Sequence, residues 1–368
     1  ARFGWSGAIS ERLTHSVGRG RLADTLTVGD MASISKGKGD GPRGQRLLHI
    51  LSASSKIAAR TCLQLIETEG EGECALPHPY QFGFTAHRSV IDAQATKDAI
   101  LHRVNVVGGS LVRIQLDIRE AFPSIGHEAI AKKVGQWSAS AAAAGDLLLR
   151  LLRQGQVRFQ ADGDTALFGL TSGTRQGCCS GPFLFKQVFA DVLDSYLARC
   201  RAEARLGGPL FRCDWQAVDP EMPVVLQALW DRQSECQGEL VAFADDTELF
   251  VPVEGSLEQI VASCEHEMSS FAEGLARVGL ALNLDKTACI PVLRGKGAAG
   301  INRLLLHYPA FKPSARCLGF VTTVAASLDQ ELAGRRSQAW VRFRMIRRAL
   351  RGAVSMAWKR ALFKGVVV

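Results

Sequence analysis

Residues 240–253 read Leu240-Val241-Ala242-Phe243-Ala244-Asp245-Asp246-Thr247-Glu248-Leu249-Phe250-Val251-Pro252-Val253, two strand-like apolar runs that meet at an adjacent pair of aspartates. This pattern predicts a β-hairpin with its acids at the tip. Adjacent carboxylates with nothing nearby to neutralise them suit a divalent cation, which takes oxygen ligands and substrate phosphates. A third acid, Asp117, ends another apolar segment, Leu111-Val112-Arg113-Ile114-Gln115-Leu116. Three carboxylates on two strand ends are a donor set for two metal ions in an in-line phosphoryl transfer. Taken alone, an Asp-Asp pair is more often a solvated turn, so the weight falls on the segments around it.

Those segments form an ordered series. Leu116-Asp117-Ile118-Arg119-Glu120-Ala121-Phe122 places an aromatic five residues after the acid, and Thr174-Arg175-Gln176-Gly177-Cys178-Cys179-Ser180-Gly181-Pro182 follows further on. Upstream stands Gln81-Phe82-Gly83-Phe84-Thr85-Ala86-His87-Arg88-Ser89 with Asp92-Ala93. Downstream come Gly279-Leu280-Ala281-Leu282-Asn283-Leu284-Asp285-Lys286-Thr287 and Cys317-Leu318-Gly319-Phe320, and Arg46 precedes Lys56 by ten residues.

Together, from about Arg46 to Gly319, this series resembles the reverse transcriptase domain of non-LTR retrotransposons and, more distantly, of group II introns. The resemblance implies an α+β right-hand polymerase with an antiparallel-sheet palm, α-rich fingers and the start of a helical thumb. It makes Asp117, Asp245 and Asp246 ligands of two Mg²⁺ ions, with Mn²⁺ as a substitute. Phe122 becomes the steric gate against a ribose 2′-hydroxyl, Gln176 and Gly177 line the template and nucleotide pocket, and Arg46 contacts the triphosphate, with Lys38 or Arg43 as a weaker second cation. Lys286 is the candidate to protonate pyrophosphate. Arg88 in the fingers motif and Leu318-Gly319 at the primer grip are expected on nucleic acid. Leu47 stands where the family usually has Pro, and Cys178-Cys179 where an acidic or polar residue and Pro are common.

Net charge is +8 and the pI about 9.1, which favours a polyanionic partner. Residues 335–364 hold ten Lys and Arg and no acid, so removing those ten charges leaves the rest of the chain at −2. Trp340, Phe343, Ile346, Leu350, Val354, Ala357 and Ala361 recur every three or four residues through this stretch, predicting a basic amphipathic helix. Surface helices usually mix charge signs to gain i,i+4 pairs. An acid-free one, with Arg335, Arg336, Arg342, Arg347 and Arg351, is expected to track nucleic-acid phosphates.

The expected division is a basic N-terminal extension (1–44), fingers (45–110), palm (111–325, with fingers-like helices at 126–170 and a long connection at 207–239) and thumb (326–368). Helices are expected over residues 46–67, 125–134, 137–153, 182–206 and 255–278, and a hairpin around Asp162-Gly163-Asp164. The ten cysteines show no Cys-x-x-Cys pair, which argues against a zinc or disulfide framework and fits a reducing compartment. No run of 18 apolar residues occurs, so no membrane partner is expected.

The implied function is RNA-directed DNA polymerisation, with an RNA template, a DNA primer and deoxynucleotides as partners. The rival is a reverse-transcriptase-like RNA-binding scaffold of a ribonucleoprotein that does not polymerise, since fold does not dictate activity. A nuclear location follows from a retroelement origin, a mitochondrial or other organellar one from an intron origin.

Overall fold

The computed structural model describes residues 21–35, 45–69, 78–106, 108–161, 164–203, 240–318, 320–323, 329–351 and 355–366. A short helix α1 (Asp24–Thr27) leads into β1 (Val28–Ser35), which pairs with β2 (Gln45–Leu51) ahead of α2 (Ala53–Glu69) and α3 (Val90–Val106). Then come β3 (Leu111–Leu116), α4 (Ala121–Ser124), α5 (His127–Val134), α6 (Ala139–Arg153), the hairpin β4 (Gln156–Ala161) and β5 (Asp164–Gly169), and the long α7 (Ser180–Ala202). After α7 the described elements are β6 (Leu240–Phe243), β7 (Asp246–Pro252), α8 (Leu257–Ala276), β8 (Ala288–Val292), α9 (Ala298–Leu305), β9 (Ser314–Cys317), β10 (Phe320–Thr323), α10 (Asp329–Arg351) and α11 (Met356–Val366).

The functional core is the antiparallel sheet β6-β7-β3-β8. Helices cover both of its faces, which is why all six residues of β3 are buried. Val112, Ile114 and Leu116 join a core with Phe185, Val188, Phe189, Ile260, Phe271 and Leu275 of α7 and α8. On the opposite face Leu111, Val241, Phe250 and Val292 pack with Ala93, Ile100, Leu101 and Val104 of α3. Alternation along a strand turns Arg113 and Gln115 toward this second face as well. Ser256 starts α8 with a reciprocal cap: its Oγ accepts from Gln259 N at 3.4 Å while Gln259 Oε1 accepts from Ser256 N at 2.7 Å.

A second sheet, β2-β1-β4-β5, stands where the sequence predicts α-rich fingers. The chain from residue 46 is a strand rather than the start of a helix. Seven-residue pairing with β1 satisfies its backbone, and the helix begins only at Ala53, where Ser52 Oγ accepts from Ser55 N at 3.1 Å. The apolar spacing of Leu47, Ile50 and Leu51 fits either element over so short a window. The basic C-terminal stripe is likewise two helices instead of one. Ser355 opens the second, accepting from Trp358 N at 3.2 Å through its side chain, and Phe343 of α10 meets Phe363 of α11 with ring centroids 6.4 Å apart. The hairpin at 156–169 and the helices α5 to α8 fall close to where the sequence places them. Residues 1–20, the 207–239 connection, Lys38, Arg43, the Asp162-Gly163 turn and Gly319 lie outside the described residues. Among the described residues no helix is long and apolar enough to cross a membrane.

Candidate active site

Register fixes the three acids together. Leu116, at the end of β3, pairs with Thr247 of β7, so Asp117 leaves its strand beside Asp246, the first residue of β7. Asp245 occupies the two-residue turn between β6 and β7, where Phe243 pairs with Asp246. Partial desolvation first, then the charges of Asp245 and Asp117, raise the Asp246 carboxyl above its ordinary value, with Lys97 pulling it back. Three oxygen-donor groups that destabilise one another's charge fit a divalent cation, which would relieve that repulsion. As the side chains stand, no group of three such donors among the described residues is closed around a single ion.

The segment 281–287 shapes Asp117. Arg119 N donates to Ala281 O (2.8 Å) and Asn283 N to Asp117 O (2.7 Å), laying the segment along the strand exit. Asn283 Nδ2 donates to Asp117 Oδ2 at 3.0 Å, and Lys286 Nζ stands 3.5 Å from the same oxygen, its side chain 66 % exposed. Lys286 therefore has a charged neighbour in the site and freedom to turn away from it.

Phe122, on α4, lies half-buried between two other rings. Phe84 meets it edge-on at 5.9 Å and Phe185 lies at 4.8 Å, the latter backed by Phe189 at 5.2 Å. Phe84 is exposed and holds a left-handed φ of 54°, with its carbonyl accepting from Lys186 Nζ at 3.3 Å. Thr174 N donates to Phe122 O (2.8 Å), and His49 N of β2 donates to Gln176 O (2.9 Å), so the loop carrying Gln176 and Gly177 runs from the Phe122 helix to the strand that bears Arg46. Gly177 has φ 105°, and a Cβ there would sit 2.7 Å from His49 O, which explains the glycine. Gln176 Oε1 is buried and accepts no hydrogen bond from the described residues, an acceptor suited to a polar ligand. Arg46 pairs with Ile34 in the β1–β2 ladder.

Several further residues support the site. Arg175 is buried and donates from Nη1 to Leu26 O (3.2 Å) and Ser55 Oγ (3.3 Å) and from Nη2 to Thr27 O (2.9 Å) and Leu151 O, anchoring the glutamine-glycine loop to three helices. Behind the acids, Glu248 is fully buried between Arg113, whose Nε donates to Oε1, and Lys97, whose Nζ lies 2.8 Å from Oε2. Burial alone would raise the Glu248 carboxyl, but Arg113 and then Lys97 outweigh it and hold it at about 2. Burial alone would lower the Lys97 ammonium, and Glu248 and Cys317 reverse that to a rise. Opposite charges embedded in two apolar strand runs were a legible signal for this cluster, because buried charges require partners. Its third member, on α3, gave no such signal.

The remaining expected nucleic-acid contacts fall into three groups. Arg88 turns inward: its Nη1 donates to His78 O (3.3 Å), Pro79 O (2.6 Å) and Gln81 O (3.0 Å), and its guanidinium lies over Phe82 at 5.1 Å. Leu318 packs with Phe243 against the α3 side of the sheet, and adjacent Cys317 Sγ accepts from Lys97 Nζ at 3.1 Å, tying the β9–β10 hairpin to α3. Arg335, Arg336, Arg342, Arg347 and Arg351 of α10 are all exposed, with Arg335 lying 4.8 Å over the Phe320 ring.

Residues 34–320 match the family model of reverse transcriptases, described as RNA-dependent DNA polymerases. The chain belongs to the reverse transcriptase family. As a nucleotidyltransferase-family chain it has the right-hand polymerase fold, and the solved structures it resembles agree. Apo telomerase from Candida tropicalis truncated from its C-terminal domain superposes with a TM-score of 0.50 at 10 % identity, over 86 % of this chain and 58 % of that one. Telomerase from Candida tropicalis in complex with the TWJ fragment of telomeric RNA gives 0.50 at 12 % identity, over 89 % and 49 %. At such identity the likeness is one of fold. This reverse transcriptase chain spans about half the length of those telomerase chains. No curated protein matches it.

Proposed function

We propose that this reverse transcriptase is an active RNA-directed DNA polymerase that adds deoxynucleotides to a primer 3′-hydroxyl. The observation that carries the reading is the convergence of Asp117 with Asp245 and Asp246 at neighbouring strand ends. Asp117 and Asp245 would hold two divalent ions, Mg²⁺ or Mn²⁺, with Asp246 supporting. Bound there, the ions supply Lewis-acid activation of the 3′-hydroxyl and neutralise the triphosphate. The chain's own residues position and exclude. Asn283 orients Asp117 through Oδ2. Phe122, wedged between Phe84 and Phe185, fills the space a 2′-hydroxyl requires. Gln176 and Gly177 line the nucleotide pocket, and Arg46 on β2 serves the triphosphate. Lys286, able to swing from Asp117, protonates the leaving pyrophosphate.

Within the family, the Gln81 to Ser89 segment and the Gln176-Gly177 loop support a non-LTR retrotransposon or group II intron type, with the exposed arginines of α10 acting as a thumb on the primer-template duplex. RNA is the template, and a ribonucleoprotein is the natural setting for a relative of chains solved with an RNA fragment. The test is Mg²⁺-dependent dTTP incorporation on poly(rA) with an oligo(dT) primer. The wild type should extend the primer and Asp245→Asn should not. A folded wild type that binds RNA in a salt-sensitive way without extending it would replace this reading with that of a non-polymerising scaffold.

A further inference from the structure

The turn that carries Asp245 is an unfavourable one for its sequence. Ala244, at the first turn position, has φ 60°, a left-handed conformation that glycine and asparagine adopt readily and alanine does not. Tight hairpin turns need a positive φ there so that the turn's twist matches that of the strands. Alanine's own preference works against the geometry, so the turn depends on outside support.

That support comes from Gln81, which is 1 % exposed. Its Oε1 accepts from Ala244 N at 2.7 Å and from Gly83 N at 2.8 Å, while its Nε2 donates to Ala244 O at 3.0 Å. One side-chain amide thus satisfies both backbone groups of the left-handed residue. The main chain continues the seam: Phe82 N donates to Ala242 O at 2.7 Å and Ala242 N to Tyr80 O at 2.9 Å. A Cβ on Gly83 would lie 2.1 Å from Ala244 N, so the two backbones are in direct contact. Gln81 is itself held, its carbonyl accepting from Thr85 Oγ1 (3.2 Å) and Arg88 Nη1 (3.0 Å).

We infer that Gln81 is a positioning residue for the hairpin acids: its amide clamps Ala244 in the left-handed turn and so sets the placement of Asp245 and Asp246 against Asp117, on which cation capture depends. The inference rests on the reading that these acids bind a divalent cation. Second-layer partners of ligand-bearing groups typically change metal affinity about 10- to 100-fold, and this clamp belongs to that class.

The test uses the full chain without template or nucleotide, measuring Mn²⁺ binding by electron paramagnetic resonance, thermal midpoints, and hydrogen exchange of the 240–250 amides. In the wild type, Ala244 N–H should exchange as slowly as the amides of β7; exchange at the rate of an open turn would overturn the clamp without any variant. Gln81→Met, similar in length and apolar, should weaken Mn²⁺ binding about 10- to 100-fold and speed exchange at the hairpin, while α8 keeps its protection. Adding Ala244→Gly should restore part of the affinity, since glycine holds the turn unaided. Mn²⁺ affinity within about twofold of wild type in a folded Gln81→Met chain would refute the positioning role and leave the metal site standing. A wild type whose Mn²⁺ binding is absent, or unchanged by Asp245→Asn, would remove the metal reading and this inference with it.

Discussion

Phe122 has its ring fixed from both sides by Phe84 and Phe185, so it acts as a rigid wall. Phe122→Ala should lower the preference for dTTP over UTP about 10- to 200-fold, the range available to a packing contact in a substrate pocket, with kcat/KM for each nucleotide as the readout. Unchanged discrimination would place the gate elsewhere. The meeting of Asp117 with Asp245 and Asp246 was legible in the sequence because each sits in a short motif whose order is itself informative. The residues that hold them were not. Asn283 and Gln81 lie inside two of those motifs, but their partners, Asp117 and Ala244, are 166 and 163 residues away in the chain. Only folding reveals such pairings. Arg88 carries the complementary lesson: a cation in a nucleic-acid motif has its guanidinium committed to three carbonyls of its own loop.

At the scale of elements, α3 and the palm sheet are joined by a buried charge cluster, and that makes their junction sensitive. Lys97→Met leaves the buried Glu248 with Arg113 as a neutral pair but strips one charge-assisted contact from its carboxylate, which costs about 1.5–3 kcal/mol. Chemical denaturation of the variant should show a loss of that order, and adding Glu248→Gln should deepen it, because Arg113 then stands buried without a carboxylate. A single-variant change below about 1 kcal/mol would contradict the account. The same cluster fixes a pH dependence. With Glu248 depressed to about 2 in the folded chain, its contribution is fully present above the ordinary glutamate range near pH 4.5 and is lost as pH falls toward 2, an effect of about 3 kcal/mol at one pKa unit per 1.36 kcal/mol. The palm strands and α5 to α8 were readable because long periodic segments bury one consistent face. The second sheet was not, since β1 and β2 mix polar and apolar residues without a sustained strand alternation, and their pairing is decided by each other and by β4, not by local spacing.

At the scale of the whole molecule, charge is segregated: the palm gathers acids while α10 presents arginines to solvent. Phosphate neutralisation releases counterions, so replacing Arg335, Arg336, Arg342, Arg347 and Arg351 with Gln should flatten the dependence of log K on log salt for primer-template binding by about 0.7–0.9 for every phosphate no longer neutralised. An unchanged slope would take α10 off the duplex. On the proposed function, Asp117 and the hairpin acids, brought from separate strands, work as one site. Single-turnover primer extension by Asp117→Asn, by Asp245→Asn and by the double variant tests it most directly. Groups acting as a unit are strongly non-additive, so each single change should remove nearly all of the rate and the double change little more. Multiplying losses, or a single variant extending at the wild-type rate, would show that the acids do not form a common centre.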